Sequence, residues 1–188
     1  MTPPVNPVIK FTYDDYLTLG YDDQRRYEII EGDIYVAASP SVRHQLVAKR
    51  VDYALTQYVE KHDLGIVFHA PLDIVLSETN VVQPDVLFIS KKRMGIIKEA
   101  FIGGPPDLVI EVTSPSNEDH DRKLKRSVYS RYGVREYWIV DPVACNIEQL
   151  VYRENLLHSV GIVPEDGELT SKIVTGFTMK LAPIFAPL

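Results

Sequence analysis

Two apolar runs interrupted by carboxylates constrain this chain most: Asp107-Leu108-Val109-Ile110-Glu111-Val112-Thr113 and Pro84-Asp85-Val86-Leu87-Phe88-Ile89. Short, continuous runs rich in Val, Ile and Leu form strands buried on both faces, so the fold needs a sheet covered on each side. A carboxylate inside such a strand is costly, because an unpaired buried charge loses on the order of several kcal/mol. Glu111 must therefore be protonated, paired with a basic side chain, or bound to a cation. Asp85 opens the other run, and adjacent strands would bring the two carboxylates together. Converging carboxylates suit Mg²⁺, which takes one or two of them, keeps several waters and accepts phosphate oxygens. Taken singly, each has a plainer reading: Pro84-Asp85 as a turn, Glu111 as an ion-pair partner.

The rest of the chain supplies the cover. After a Pro-rich lead, Thr12-Tyr13-Asp14-Asp15 fits a capping box opening a short helix through about Leu19. Tyr27-Glu28-Ile29-Ile30, Glu31-Gly32-Asp33 and Ile34-Tyr35-Val36 read as a hairpin turning at Gly32. Ser39-Pro40 reads as an N-cap followed by proline at the first helical position, and Val47, Val51, Ala54, Leu55, Tyr58 and Val59 recur at helical spacing to about His62. Strands are predicted at Ile66-Val67-Phe68, Leu72-Asp73-Ile74-Val75-Leu76 and along both apolar runs. Ser116-Asn117-Glu118-Asp119 is a second capping box, with a helix running to about Tyr132 before Gly133 stops it. Tyr137-Trp138-Ile139-Val140 is a further buried strand, and the stretch from Asn146 onward reads as strands or hairpins with a loop at Pro164-Glu165-Asp166-Gly167. The expected architecture is a single α/β (α+β) domain over residues 1–188, with a mixed central sheet, two main helices and a β-hairpin added at each end.

The 188 residues suffice for one self-supporting core. The apolar runs are too short to span a bilayer, Met1-Thr2-Pro3-Pro4-Val5 lacks signal-peptide character, and Cys145 is the sole cysteine, which together point to the cytoplasm. A net charge of −6 argues against a protein that coats nucleic acid non-specifically. Basic residues nevertheless cluster at Arg122, Lys123, Lys125, Arg126 and Arg131 and again at Lys91, Lys92, Arg93 and Lys98; the plain reading of each is a solvated face. The histidines show no zinc-like spacing with one another or with Cys145. No Gly-rich phosphate loop or Gly-x-Ser-x-Gly elbow occurs. Tyr137 and Trp138 read as core rather than as base-stacking residues.

Pro84-Asp85 followed by Glu111-Val112-Thr113 resembles the metal site of the PD-(D/E)XK, or restriction-endonuclease-like, nuclease superfamily. The chain is similar over nearly its whole length to one bacterial endonuclease family of that superfamily carrying a domain-of-unknown-function label. The similarity lies in Tyr27-Glu28-Ile29-Ile30-Glu31-Gly32, Arg43-His44, Gln83-Pro84-Asp85, Leu108-Val109-Ile110-Glu111-Val112-Thr113-Ser114-Pro115-Ser116 and Gly133-Val134-Arg135-Glu136-Tyr137-Trp138. The resemblance implies Mg²⁺, with Mn²⁺ as a substitute, held by Asp85, Glu111 and the carbonyl of Val112. It also implies an auxiliary role for Glu28, whose plain reading is a solvent-facing hairpin residue, and for His44, which otherwise reads as a surface helix histidine.

One departure matters: the superfamily's lysine lies two residues after the glutamate, where this chain has Thr113. A lysine on the following helix substitutes in the resembling family. Asp121, Lys125 and Tyr129 share one helical face, so Lys125 is the candidate and Lys123, about 160° away from it, the alternative. A surface Lys125 paired with Asp121 is the plain reading. The function implied is metal-dependent hydrolysis of phosphodiesters, in DNA, by a homodimer whose two sites serve the two strands. The rival readings are a binding module of the same fold without useful catalysis and a metal-dependent hydrolase acting on another substrate.

Overall fold

The computed structural model describes residues 10–18, 26–37, 39–114 and 120–187, with side chains for all of these except residues 37 and 120–122. The Pro-rich lead and the capping box at Ser116–Asp119 lie outside the described residues.

Helix α1 (Tyr13–Thr18) is opened by the expected capping box: the Thr12 amide donates to Asp15 Oδ2 at 2.9 Å, and the Asp15 amide donates back to Thr12 Oγ1 at 3.3 Å. Strands β1 (Arg26–Ile30) and β2 (Asp33–Ala37) form the hairpin, whose two turn residues, Glu31 and Gly32, both have positive φ, 55° and 84°. At Gly32 a Cβ would also stand 2.6 Å from Lys10 Cβ, so glycine is required twice over.

Helix α2 (Val42–Lys61) starts later than the sequence suggested. Its cap is Ser41, not Ser39, because the Ser41 hydroxyl lies three residues before the His44 amide and accepts from it at 3.1 Å. Proline 40 thus precedes the cap and does not occupy the first turn. Strands β3 (Gly65–His69), β4 (Ile74–Ser77), β5 (Asn80–Val82) and β6 (Val86–Ser90) follow, then a 3₁₀ turn at Lys91–Ile96 and strand β7 (Leu108–Val112). The chain next forms a π-helical stretch, His120–Lys125, that passes into helix α3 (Arg126–Tyr132) and stops at Gly133 with φ 77°. Strands β8 (Glu136–Asp141), β9 (Asn146–Arg153), β10 (Leu156–Pro164), β11 (Glu168–Thr170) and β12 (Thr178–Lys180) and the short helix α4 (Ala182–Phe185) complete it.

The strands build a six-stranded sheet in the order β10-β9-β8-β7-β6-β3, a four-stranded sheet in the order β2-β1-β5-β4, and the β11-β12 pair. All pairs in the large sheet are antiparallel except β7-β8, which is parallel and joined through α3. The N-terminal hairpin lies outside the large sheet, as expected, but does not stand alone. It is bound through β1-β5 pairing at Ile29 and Val81 into a second sheet.

Side chains alternate across the large sheet. Val86, Phe88, Leu108, Ile110, Val112 and Trp138 face α2, α4 and the β11-β12 pair. Leu87, Ile89, Val109, Tyr137 and Ile139 face α3 and the four-stranded sheet. Among the described residues no helix is long and apolar enough to cross a membrane.

Candidate active site

Glu111 lies two residues after Val109 on β7 and so shares its face of the sheet, toward α3, where its carboxylate enters a layer otherwise filled by apolar and aromatic side chains. There Lys125 Nζ stands 2.9 Å from Glu111 Oε1, and the Tyr129 hydroxyl donates to the same oxygen at 2.7 Å. Lys125 Nζ also lies 2.9 Å from Glu28 Oε1, which in turn accepts from the Gln83 amide at 2.8 Å. One ammonium thus joins a β1 glutamate to a β7 glutamate. Burial and these two negative charges push the Tyr129 hydroxyl well above its ordinary pKa, so it stays protonated and can act only as the donor in its bond to Glu111.

Asp85 ends the loop before β6. The β6-β7 register pairs Val86 with Ile110, and carried one residue past the ladder it sets Asp85 opposite Glu111. The Asp85 carboxylate accepts from the Val112 amide at 2.9 Å, lies 3.2 Å from His44 Nε2 and is 3.2 Å from Arg26 Nη1. Burial alone would raise the Asp85 pKa, but the hydrogen bond and charge of His44, the Val112 amide and the Arg26 guanidinium outweigh it and hold the group below the ordinary carboxylate value. Glu28, His44, Asp85, Glu111 and Lys125 are each at most 8% exposed, so water screens these charges little.

The structure therefore brings together Glu28, His44, Asp85, Glu111, Lys125 and the main chain of Val112. Lys125 is buried in the cluster, whereas Lys123 is exposed. The helical-face argument reached Lys125 with α-helical spacing, while the segment carrying it winds in wider i→i+5 turns. The Asp121 side chain, its proposed surface partner, lies outside the described residues. Glu28 is not a solvent-facing hairpin residue, because the second sheet folds β1 against the pocket. His44 is likewise buried; its Nδ1 has no hydrogen-bond partner among the described residues.

Arg26 was missed. It lies two residues before Glu28 on the same strand, with no sequence feature to distinguish it from any other strand-end arginine. The other basic residues are mostly structural. Arg93 and Arg135 pair with buried Asp107, Lys91 pairs with Asp63, Arg126 donates to the Leu157 carbonyl, and Arg131 pairs with Glu31. Tyr137 and Trp138 are core, the indole donating to buried Glu136.

The carboxylates of Glu28, Asp85 and Glu111 are hard oxygen donors of the kind Mg²⁺ prefers, and the seated ammonium marks a point where buried negative charge is met by a cation. Among the described residues no three His, Cys, Asp or Glu side chains already surround a single point in metal-holding geometry. The donor set fits a divalent cation in kind.

A mixed sheet between two helical layers, with a Pro-Asp at one strand end opposite a buried glutamate on the next, defines an α/β protein of restriction-endonuclease-like architecture. This chain belongs to the Uma2 family, described as "Putative restriction endonuclease", whose model matches residues 13–182. It is 27% identical over 154 residues, 81% of this chain and 78% of the other, to a Synechocystis sp. (strain ATCC 27184 / PCC 6803 / Kazusa) protein called "Uncharacterized protein slr1290". Its fold matches a crystal structure of "a putative nuclease belonging to DUF820" from Anabaena variabilis ATCC 29413, with a TM-score of 0.77 at 16% identity, covering 94% of this chain and 98% of that one.

Proposed function

We propose that this protein is a divalent-cation-dependent endonuclease that hydrolyses phosphodiester bonds in DNA. The observation that carries the reading is the convergence of Lys125 on Glu28 and Glu111 beside an Asp85 set opposite Glu111. Asp85, Glu111 and the carbonyl of Val112 would hold Mg²⁺ or Mn²⁺. When bound, the ion would polarise a phosphoryl oxygen and lower the pKa of a coordinated water.

The chain's own groups have separable tasks. The Val112 amide and His44 fix the Asp85 carboxylate, while Tyr129 fixes Glu111 through a hydroxyl that stays protonated. Lys125 orients the attacking water and offsets negative charge gathering on the phosphoryl group. Glu28, anchored on the Gln83 amide, supplies a resting partner for Lys125 and an oxygen at the edge of the pocket. A cytoplasmic homodimer would present two such pockets to the two strands of a duplex.

The test incubates purified protein with supercoiled and single-stranded DNA in Mg²⁺, Mn²⁺ or chelator, comparing wild type with Asp85→Asn, Glu111→Gln and Lys125→Ala. Wild type should cut in metal only. The two carboxylate variants should be nearly as inactive as their double mutant, since both serve the same ion. Wild-type cleavage no greater than that of Asp85→Asn in every metal would sink the nuclease reading and favour a binding module held by a structural ion-pair network.

A further inference from the structure

On the α2 side of Asp85 the structure contains a cleft of about 470 Å³ whose lining includes Arg26, Gln45, Lys49 and Asp85. That volume is within the range of pockets for one small ligand and too small for a paired duplex. Its walls are apolar where Pro40, Ala48, Pro71 and Val86 contribute and polar where Gln45 and Lys49 stand exposed at the rim. Asp52 lies 3.6 Å from His69 Nδ1 and Asp85 lies 3.2 Å from Arg26 Nη1, and exposed Lys49 adds a further cation at the rim.

Arg26 connects the cleft to the site described above, since its guanidinium lines the one and lies 3.2 Å from Asp85 in the other. We propose that this cleft is a subsite for one unpaired nucleotide, its base against the apolar walls and its phosphate on Arg26 and Lys49, so that the adjoining phosphodiester is delivered to Asp85. The inference rests on the nuclease reading for its purpose but not for its binding chemistry. Apolar walls suit the face of a base, and Gln45 offers both a donor and an acceptor to its edge. A base can enter only when it is out of its stack, so the favoured substrate class is single-stranded or locally opened nucleic acid. Cations at the rim supply the phosphate affinity that the net charge of the chain does not.

The test measures fluorescence anisotropy of labelled oligothymidylate, oligouridylate and a blunt duplex in chelator, so that no cleavage is needed. Gln45→Trp fills the cleft from an exposed position and Lys49→Glu reverses a rim charge. Lys180→Glu, at an exposed position of β12, makes the same charge change outside the cleft. Single-strand affinity should fall by about tenfold or more in the two cleft variants, with the melting temperature unchanged and Lys180→Glu equal to wild type. Thymidine monophosphate should compete where inorganic phosphate at the same concentration does not. The ribose and deoxyribose strands, compared directly, report which sugar the subsite prefers. The inference is overturned if wild type binds neither single strand, if it prefers the blunt duplex, or if the cleft variants bind as wild type does. A protein that binds through the cleft yet never cuts DNA in Mg²⁺ or Mn²⁺ would retain the subsite and lose the nuclease reading; one that cuts with Gln45→Trp unaffected in binding would do the reverse.

Discussion

Lys125 holds two buried glutamates at 2.9 Å each, so its replacement removes the charge that makes their burial tolerable. Lys125→Met should destabilise the metal-free protein by about 3–5 kcal/mol, as breaking buried pairs does, and added Mg²⁺ should restore part of that loss; chemical denaturation with and without the ion checks both. An unchanged midpoint would show that the ammonium does not neutralise the pair. Asp107 gives a separate residue-level test, away from the site. Its burial would raise its pKa, but the Ser90 hydrogen bonds, Arg135 and Arg93 hold it below the ordinary 3.8. A lowered folded pKa means stability that is present above the unfolded value and lost as pH falls through the folded one. The melting-temperature advantage of wild type over Asp107→Asn should therefore be full near neutrality and shrink below about pH 3.8. At this scale the sequence was informative where burial made a charge anomalous, as at Glu111, and silent for Arg26, whose partner lies across a fold the local sequence does not reveal.

Among the elements, α2 matters most to the site because its first turn carries His44 to Asp85. Ser41→Ala removes the cap that accepts from the His44 amide, which should cost about 1 kcal/mol, or roughly 2–4 °C in melting temperature for a chain of this size. Thermal melting measures it, and a loss as small as that of Ser39→Ala would contradict the assignment. The sequence reading placed the cap at Ser39; the backbone entering the helix selects Ser41. The strongly apolar strands β6, β7 and β8 were legible because burial on both faces leaves an uninterrupted run. Strand β5, three residues long between polar neighbours, carries too little periodicity to be read, and with it the second sheet that buries Glu28 was hidden. The π-helical stretch before α3 was likewise invisible, since residue spacing alone does not reveal a wider turn.

Over the whole molecule, the large sheet separates two apolar layers and gathers the polar cluster at one end of β6 and β7. Asp85 and Glu111 stand opposite each other there, Asp85 held by His44 and Arg26 and Glu111 joined through Lys125 to Glu28 and bonded by Tyr129. The central claim is that Asp85 and Glu111 form one divalent-cation site, and titration calorimetry of Mn²⁺ into the purified protein measures it most directly. Wild type should bind a single ion, with Mg²⁺ competing. Asp85→Asn and Glu111→Gln should each lose at least about tenfold in affinity, the loss that even outer partners of a metal ligand produce, while Lys125→Met retains binding. A wild-type titration without binding heat or competition, or an Asp85→Asn isotherm that overlays wild type, would contradict the account.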